Sequence, residues 1–154
     1  MKIVLLTVGK LGRSPEADLA RDYAQRATAT GRALGLGPVE IVEVEARKSG
    51  KPAEAEVLTP HLADAYIIAC DEGGTARRSR DFAAHIARLR DDGVRKLVIV
   101  IGGADGLDPT ILSAAREKLA FGIQTWPHAL VRVMLAEQVY RAGAILAGTP
   151  YHRD

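Results

Sequence analysis

The sequence predicts an α/β fold, a mainly parallel sheet with helices on both faces, and three observations carry that prediction. Leu97 to Ile101 is an unbroken aliphatic run, LVIVI, which suits a strand buried on both faces of a parallel sheet. Ile3 to Val8 is a second such run. Both end in glycines and then a helix start: Gly9 and Gly12 precede Ser14-Pro15, and Gly102, Gly103 and Gly106 precede Asp108-Pro109. Glycines at a strand's carboxyl end let the backbone approach a ligand closely, and open α/β sheets place their ligands there. A tight connection that needs small residues is the plain alternative. The dinucleotide fingerprint GxGxxG is absent, because Ile101 stands where its first glycine belongs, and there is no P-loop pattern. NAD-binding and ATP-binding readings are therefore weak.

Taken in order, Ile3–Val8 is the first strand. Ser14, Pro15 and Glu16 supply a cap, an N1 proline and an acid at the positive dipole end, so a helix follows to about Thr30, with Leu19, Tyr23 and Arg26 on one side. Val39 to Glu45, VEIVEVE, reads as an edge strand; Ile41 and Val42 are adjacent, which breaks the alternation and suggests a bulge. The basic loop at Arg47, Lys48 and Lys51 is open to two readings, a solvated turn or a phosphate contact. A short helix covers about Ala53 to Leu58. Tyr66 to Cys70 is a third strand, ending in the polar, glycine-containing Asp71-Glu72-Gly73-Gly74. Ser79 caps a helix whose Phe82, Ile86 and Leu89 face the sheet. The strand at Leu97–Ile101 is central, and a helix runs from Pro109 to about Ala120. After a mixed stretch from Phe121 to Trp126, Pro127 opens a long helix from His128 to about Ala147. That helix is apolar on two sides, along Val131, Met134, Leu135, Val139, Ala142 and Ile145 and along Leu130, Val133, Tyr140 and Ala144, which asks for a homodimer to cover the second.

The 154 residues suit one domain, 1–154, able to bury roughly two thirds of its unfolded surface. Apolar residues make up 47% and charged ones 26%, a globular composition. Lys and Arg exceed Asp and Glu by 21 to 19, which permits a nucleic-acid partner without demonstrating one. Cys70 is the single cysteine; it excludes an intrachain disulfide and fits a reducing, cytoplasmic setting. The N-terminal run is too short for a signal sequence. No run approaches the roughly 18 residues of a membrane span, so no membrane partner is expected, and no metal-ligand spacing occurs.

Three signatures stand in order: IGGADGL at Ile101–Leu107, WPHALVRVMLAEQVYRA at Trp126–Ala142, and the terminal PYHRD at Pro150–Asp154. Together they resemble the SPOUT-class methyltransferases, most closely the ribosomal RNA large subunit methyltransferase H family. VGK at Val8–Lys10 and the Tyr23/Arg26 pair agree at the front. The resemblance implies a C-terminal deep trefoil knot, S-adenosylmethionine as cofactor with no metal, and transfer of its methyl group to N3 of a pseudouridine in 23S rRNA within the assembled ribosome. It places the cofactor among Cys70, Gly103 and the segment Gly122, Ile123, Gln124, Thr125, Trp126 and Pro127, with Cys70, Ile123 and Trp126 as apolar walls. This chain is more polar than the family pattern at Cys70 and Glu72, and carries Trp126 where an aliphatic residue or Phe is more usual.

Methyl transfer from a sulfonium needs alignment and a deprotonated nucleophile. On the resemblance, the catalytic candidates are Tyr151, His152 and Arg153 in the tail, which in a dimer would complete the partner's pocket; a frayed terminus is the plain alternative. Arg132 is added as a holder of phosphate or carboxylate. His128 is open to a structural or a catalytic role, and Glu137 and Arg141 are spaced for a helical ion pair. Asp71 and Glu72 face two readings, balancing the sulfonium or plain solvation. His61 and His85 read as surface residues, and Arg77, Arg78 and Arg80 as phosphate contacts. Two other function classes stay in play: a non-catalytic ribosome-associated RNA-binding factor with the same fold, and a flavodoxin-like nucleotide-binding enzyme, the latter disfavoured by the missing phosphate motifs.

Overall fold

The computed structural model describes residues 1–153; Asp154, the last residue of the PYHRD signature, lies outside them. Five strands, β1 (Lys2–Val8), β2 (Val39–Val44), β3 (Tyr66–Ala76), β4 (Lys96–Ile101) and β5 (Glu117–Ala120), form one sheet in the order β2-β1-β4-β3-β5. Every neighbouring pair is parallel. The helices are α1 (Pro15–Gly31), α2 (Lys51–Leu58), α3 (Ser79–Asp91), α4 (Pro109–Ala114) and α5 (His128–Leu146). No described helix is long and apolar enough to cross a membrane.

The aliphatic runs do what their lack of alternation predicts. Ile3 and Leu5 of β1, with Leu97, Ile99 and Ile101 of β4, face a core shared with α1, α3 and α5. Val4, Leu6 and Val8, with Val98 and Val100, face a second core built with α2 and α4. Successive side chains point to opposite faces, so a strand covered on both needs apolar residues at every position. The expected caps hold as well: Ser14 Oγ accepts from Ala17 N at 3.1 Å and Asp108 Oδ1 from Thr110 N at 2.8 Å.

Several expectations need correction. The helix from Pro109 ends at Ala114, because Ala115 turns to extended backbone at φ −72°, ψ 137° and Arg116 N then donates to Ile67 O at 2.9 Å. Glu117–Ala120 becomes the fifth strand, at the sheet edge beside β3. Strand β3 does not stop at Cys70; it runs on to Ala76 with an irregularity between Cys70 and Thr75. The bulge therefore lies here, and β2 pairs with β1 in unbroken register from Val39 to Val44. Helix α2 starts at Lys51, before Ala53. Ser79 is not the cap of α3: Arg78 occupies that position without a side-chain hydrogen bond, and Ser79 Oγ donates instead to Gln138 on α5 at 2.9 Å.

The buried face of α1 is made of small residues. Ala17, Ala20, Ala24, Ala27 and Gly31 turn inward, while Leu19 is 45% exposed. Small residues let helix axes approach closely, and α5 lies against this face, with Gly143 facing Thr30 across the crossing. Leu135, Ala136, Val139 and Ala142 of α5 are buried in the same core as the α1 alanines and as Phe82 and Ile86 of α3. Much of the two-sided apolarity of α5 is thus satisfied within one protomer.

Candidate active site

A cavity of about 320 Å³ opens at the irregularity of β3 that begins at Cys70 and at the carboxyl ends of β4 and β5. Its walls include Cys70 and Asp71 from β3, the loop from Gly102 to Leu107 after β4, and the segment after β5, with His128 and Val131 from the first turn of α5. The fold brings these segments together because all five strands point the same way, so every connection starts at the sheet's carboxyl edge. Of the residues expected around the cofactor, Cys70, Gly103, Gly122, Gln124, Thr125 and Trp126 line it. Ile123 does not; its side chain is fully exposed at 103%, because Gly122 at φ +102° turns the chain outward just before it. Pro127 is not in the wall either, and instead accepts from Leu130 N and Val131 N as the cap of α5.

The glycine loop after β4 is held by contacts that only small residues allow. A Cβ on Gly102 would stand 2.8 Å from Gly106 C, and one on Gly103 would stand 2.6 Å from a Glu54 carboxylate oxygen. Glu54 accepts from Gly103 N at 3.3 Å, so α2 pins the loop from below. Sequence reasoning did not pick out Glu54, and it read Lys51 as part of a basic loop, solvated or touching phosphate, rather than as the first residue of α2 in the cavity wall; only the packing of α2 brings the two here. Glu72 accepts from Thr125 Oγ1 at 3.2 Å and Asp71 from Gly73 N at 2.9 Å, while Trp126 Nε1 donates to Phe121 O at 3.1 Å. Burial, with Asp71 adjacent, pushes the Cys70 thiol up to about 12, so Cys70 offers an apolar wall rather than a nucleophile.

The tail lies elsewhere. Tyr151 packs edge-on against Tyr140 with ring centroids 4.6 Å apart and donates to Glu137 Oε1 at 2.9 Å. Arg141, ion-paired with Glu137, lies 4.9 Å over the Tyr151 ring and 3.2 Å from His152 Nδ1. An arginine can only donate, so Nδ1 is the accepting nitrogen in that contact. Tyr23 stands 6.0 Å from Tyr140, with Arg26 over both rings, so the Tyr23/Arg26 pair and the terminal signature meet in space. Arg153 is exposed. Burial and the hydrogen bonds of Tyr23 and Glu137 push the Tyr151 phenol well above its usual range. None of Tyr151, His152 and Arg153 is among the residues that line the cavity.

Two further residues change character. Arg132 is 2% exposed, bonded to Glu43 Oε1 at 3.0 Å and to Val8 O, and faces no cavity. It does hold a carboxylate, but an internal one. His85 is not a free surface residue, since its Nε2 meets Glu117 Oε1 at 2.5 Å; Tyr66 donates to the same oxygen and Arg77 to Glu117 Oε2 at 2.7 Å. This ties up the guanidinium expected to grip phosphate.

Residues 1–152 match the family described as "Predicted SPOUT methyltransferase". Proteins named ribosomal RNA large subunit methyltransferase H are 76% identical in Caulobacter sp. (strain K31) and 67% identical in Phenylobacterium zucineum, each over 100% of both chains; the relative of that name from Dinoroseobacter shibae is 54% identical over 99% of both. Among solved structures, a probable methylase family protein from Haemophilus influenzae matches with TM-score 0.54 and 14% identity, covering 99% of this chain and 70% of that one. A probable methyltransferase from Bordetella pertussis matches with TM-score 0.51 and 13% identity, covering 92% and 95%. Those two likenesses concern the fold alone. The chain is therefore a member of the SPOUT methyltransferase family and belongs with its ribosomal RNA large subunit methyltransferase H proteins.

Proposed function

We propose that this chain, as one 1–154 unit in a homodimer, transfers the methyl group of S-adenosylmethionine to N3 of a pseudouridine in the 23S rRNA of assembled ribosomes in the cytoplasm. The carrying observation is the cavity itself, in which Cys70 from the irregularity of β3 and Gly103, Gly122, Gln124, Thr125 and Trp126 from the segments after β4 and β5 converge.

The residues suit that cofactor. A volume of about 320 Å³ is within the range of small-ligand sites, roughly 300–1,000 Å³, and the backbone at Gly102 and Gly103 is bare. Trp126 and Cys70 offer apolar wall, and Asp71 and Glu72 are anionic neighbours for a sulfonium. When bound, the cofactor supplies an electrophilic methyl group. The protein must align the acceptor and take the N3 proton. Tyr151, His152 and Arg153 remain the candidates, with His152 as the base through Nδ1 once Arg141 releases it and Arg153 as the cation beside the developing anion; the raised Tyr151 phenol suits a hydrogen-bond donor. Arg132 is assigned to scaffolding.

That none of Tyr151, His152 and Arg153 lines the cavity of its own chain favours a dimer in which each tail reaches its partner's cavity. Ile123, Trp126 and Leu130 are exposed apolar residues grouped at the start of α5, a surface suited to a second copy. The return of the chain from edge strand β5 past the cavity to α1 fits the knotted path of the family. Labelled methyl transfer to ribosomes lacking the modification, beside naked rRNA and a variant cut after Thr149, tests the reading. Label on the large-subunit rRNA of ribosomes, lost on truncation, is expected. Cofactor binding without transfer to either substrate would overturn it in favour of a non-catalytic ribosome-associated factor.

A further inference from the structure

A second cavity, of about 210 Å³, adjoins the first and shares Leu119, Ala120, Phe121 and Gly122 with it. At Gly122 the partition is bare backbone, and a Cβ there would meet nothing within 4 Å. The other side of this second cavity carries Ser79, from the first turn of α3, and Gln138 of α5. That volume is several times a water's share of the liquid, ~30 Å³, and leaves room for a single-ring base. Phe121 and Phe82 offer aromatic surface of the kind that receives an unstacked base.

We infer that this second cavity receives the target pyrimidine and that Ser79 and Gln138 distinguish pseudouridine from uridine by accepting a hydrogen bond from its N1–H; the inference rests on the proposed methyl transfer. Ser79 Oγ donates to Gln138 Oε1 at 2.9 Å, and Gln138 Nε2 donates to Glu137 Oε2 at 2.9 Å. The Ser79 oxygen therefore keeps its lone pairs and Gln138 Oε1 keeps one, so the pair presents acceptors to the cavity. Pseudouridine is joined to ribose through C5, which leaves N1–H and N3–H on either side of the C2 carbonyl. With ribose in the same place and N3 toward Gly122 and the cofactor cavity, pseudouridine presents N1–H where uridine presents an apolar C5–H. A site built around acceptors discriminates against the isomer that cannot fill them, because its own polar atoms are then left unpaired.

The test compares Ser79→Ala, Gln138→Leu and the double variant on ribosomes carrying pseudouridine and on ribosomes carrying uridine at the target position, with cofactor affinity measured alongside. The wild type is expected to prefer the pseudouridine ribosomes. Each single variant should lower kcat/KM on them about five- to tenfold, the loss of one neutral hydrogen bond, while transfer to uridine ribosomes and cofactor affinity stay unchanged. The preference ratio is independent of the fraction of enzyme folded, so a partly unfolded variant still reports. An unchanged ratio, an equal loss on both substrates, or weakened cofactor binding would overturn the inference. Equal wild-type transfer to both kinds of ribosome would overturn it while leaving the proposed function standing. No wild-type transfer at all would overturn both.

Discussion

Arg132 on α5 and Glu43 on β2 form an ion pair at 3.0 Å, with the arginine 2% exposed and the glutamate side chain 29% exposed. The same guanidinium caps Val8 O at the end of β1, so one side chain ties the last helix to the first strand and the edge strand. Glu43 also accepts from Leu11 N at 3.1 Å, which orders the loop after β1. Removing one partner of a buried pair leaves an uncompensated charge and costs about 3–5 kcal/mol; the partial exposure of Glu43 places Arg132→Met at the low end, about 3 kcal/mol. Urea unfolding of R132M and of the R132M/E43Q double variant checks this, and the double should recover part of the loss. An unshifted midpoint in R132M would show the pair to be unimportant.

Gly74 is where β3 crosses closest to β5. A Cβ there would stand 2.7 Å from Lys118 C and 2.8 Å from Leu119 N, both backbone atoms that cannot swing aside. Gly74→Ala should therefore cost about 1–3 kcal/mol as overpacking and weaken cofactor binding by displacing the segment after β5. Gly103→Ala meets only the end of the Glu54 side chain, so it should cost less stability while perturbing the cofactor cavity directly. Thermal unfolding and cofactor titration of the two variants separate these effects.

The Tyr66–His85–Glu117–Arg77 cluster predicts stability changes at both ends of the pH scale. Burial raises the Glu117 carboxyl, but the hydrogen bonds of Tyr66 and His85 and the charges of His85 and Arg77 outweigh it and hold it below its usual range. A depressed folded pKa gives stability that is complete above the unfolded value, about 4.3, and is lost as pH falls through the folded one. Tyr66 is pushed up to about 12 by burial first and then by Glu117. Its contribution is complete below the unfolded value, about 10, and is lost as pH rises toward 12. Tyr66→Phe should cost about 1 kcal/mol at pH 7 and flatten the alkaline limb between about pH 10 and 12, and Glu117→Gln should flatten the acid limb below about pH 4. Unfolding midpoints across pH measure both.

His152 should separate chemistry from binding. His152→Ala is expected to lower kcat on ribosomes by about 10²–10⁴, the range of a lost general base, with cofactor affinity retained. Mixing H152A with a chain carrying a disabled cavity, such as Gly103→Trp, should restore one working site per heterodimer if each tail serves its partner's cavity. No restored activity in mixed dimers would place the tail's action within its own chain.

The primary structure dictated the layered α/β architecture, because unbroken aliphatic runs at Ile3–Val8 and Leu97–Ile101 have no stable place except between two covered faces. It determined the caps at Ser14 and Asp108 and the glycine loops at the strand ends, since these depend on residues one to three positions apart. The signatures IGGADGL, WPHALVRVMLAEQVYRA and PYHRD gave the family, which local physics could not have supplied. The remaining features depend on contacts between segments distant in the chain. Strand β5 is the short, half-polar EKLA, whose strand state comes from pairing with β3 rather than from any preference of its own. The second apolar side of α5 finds much of its cover on the alanines of α1, whose small side chains give almost no sequence signal. Arg132 reads as a free cation until Glu43 and Val8 close on it, and His85 as a surface residue until Glu117 does. In each case the deciding partner lies far away in the chain, and contacts between distant segments exist only once the sheet has ordered them.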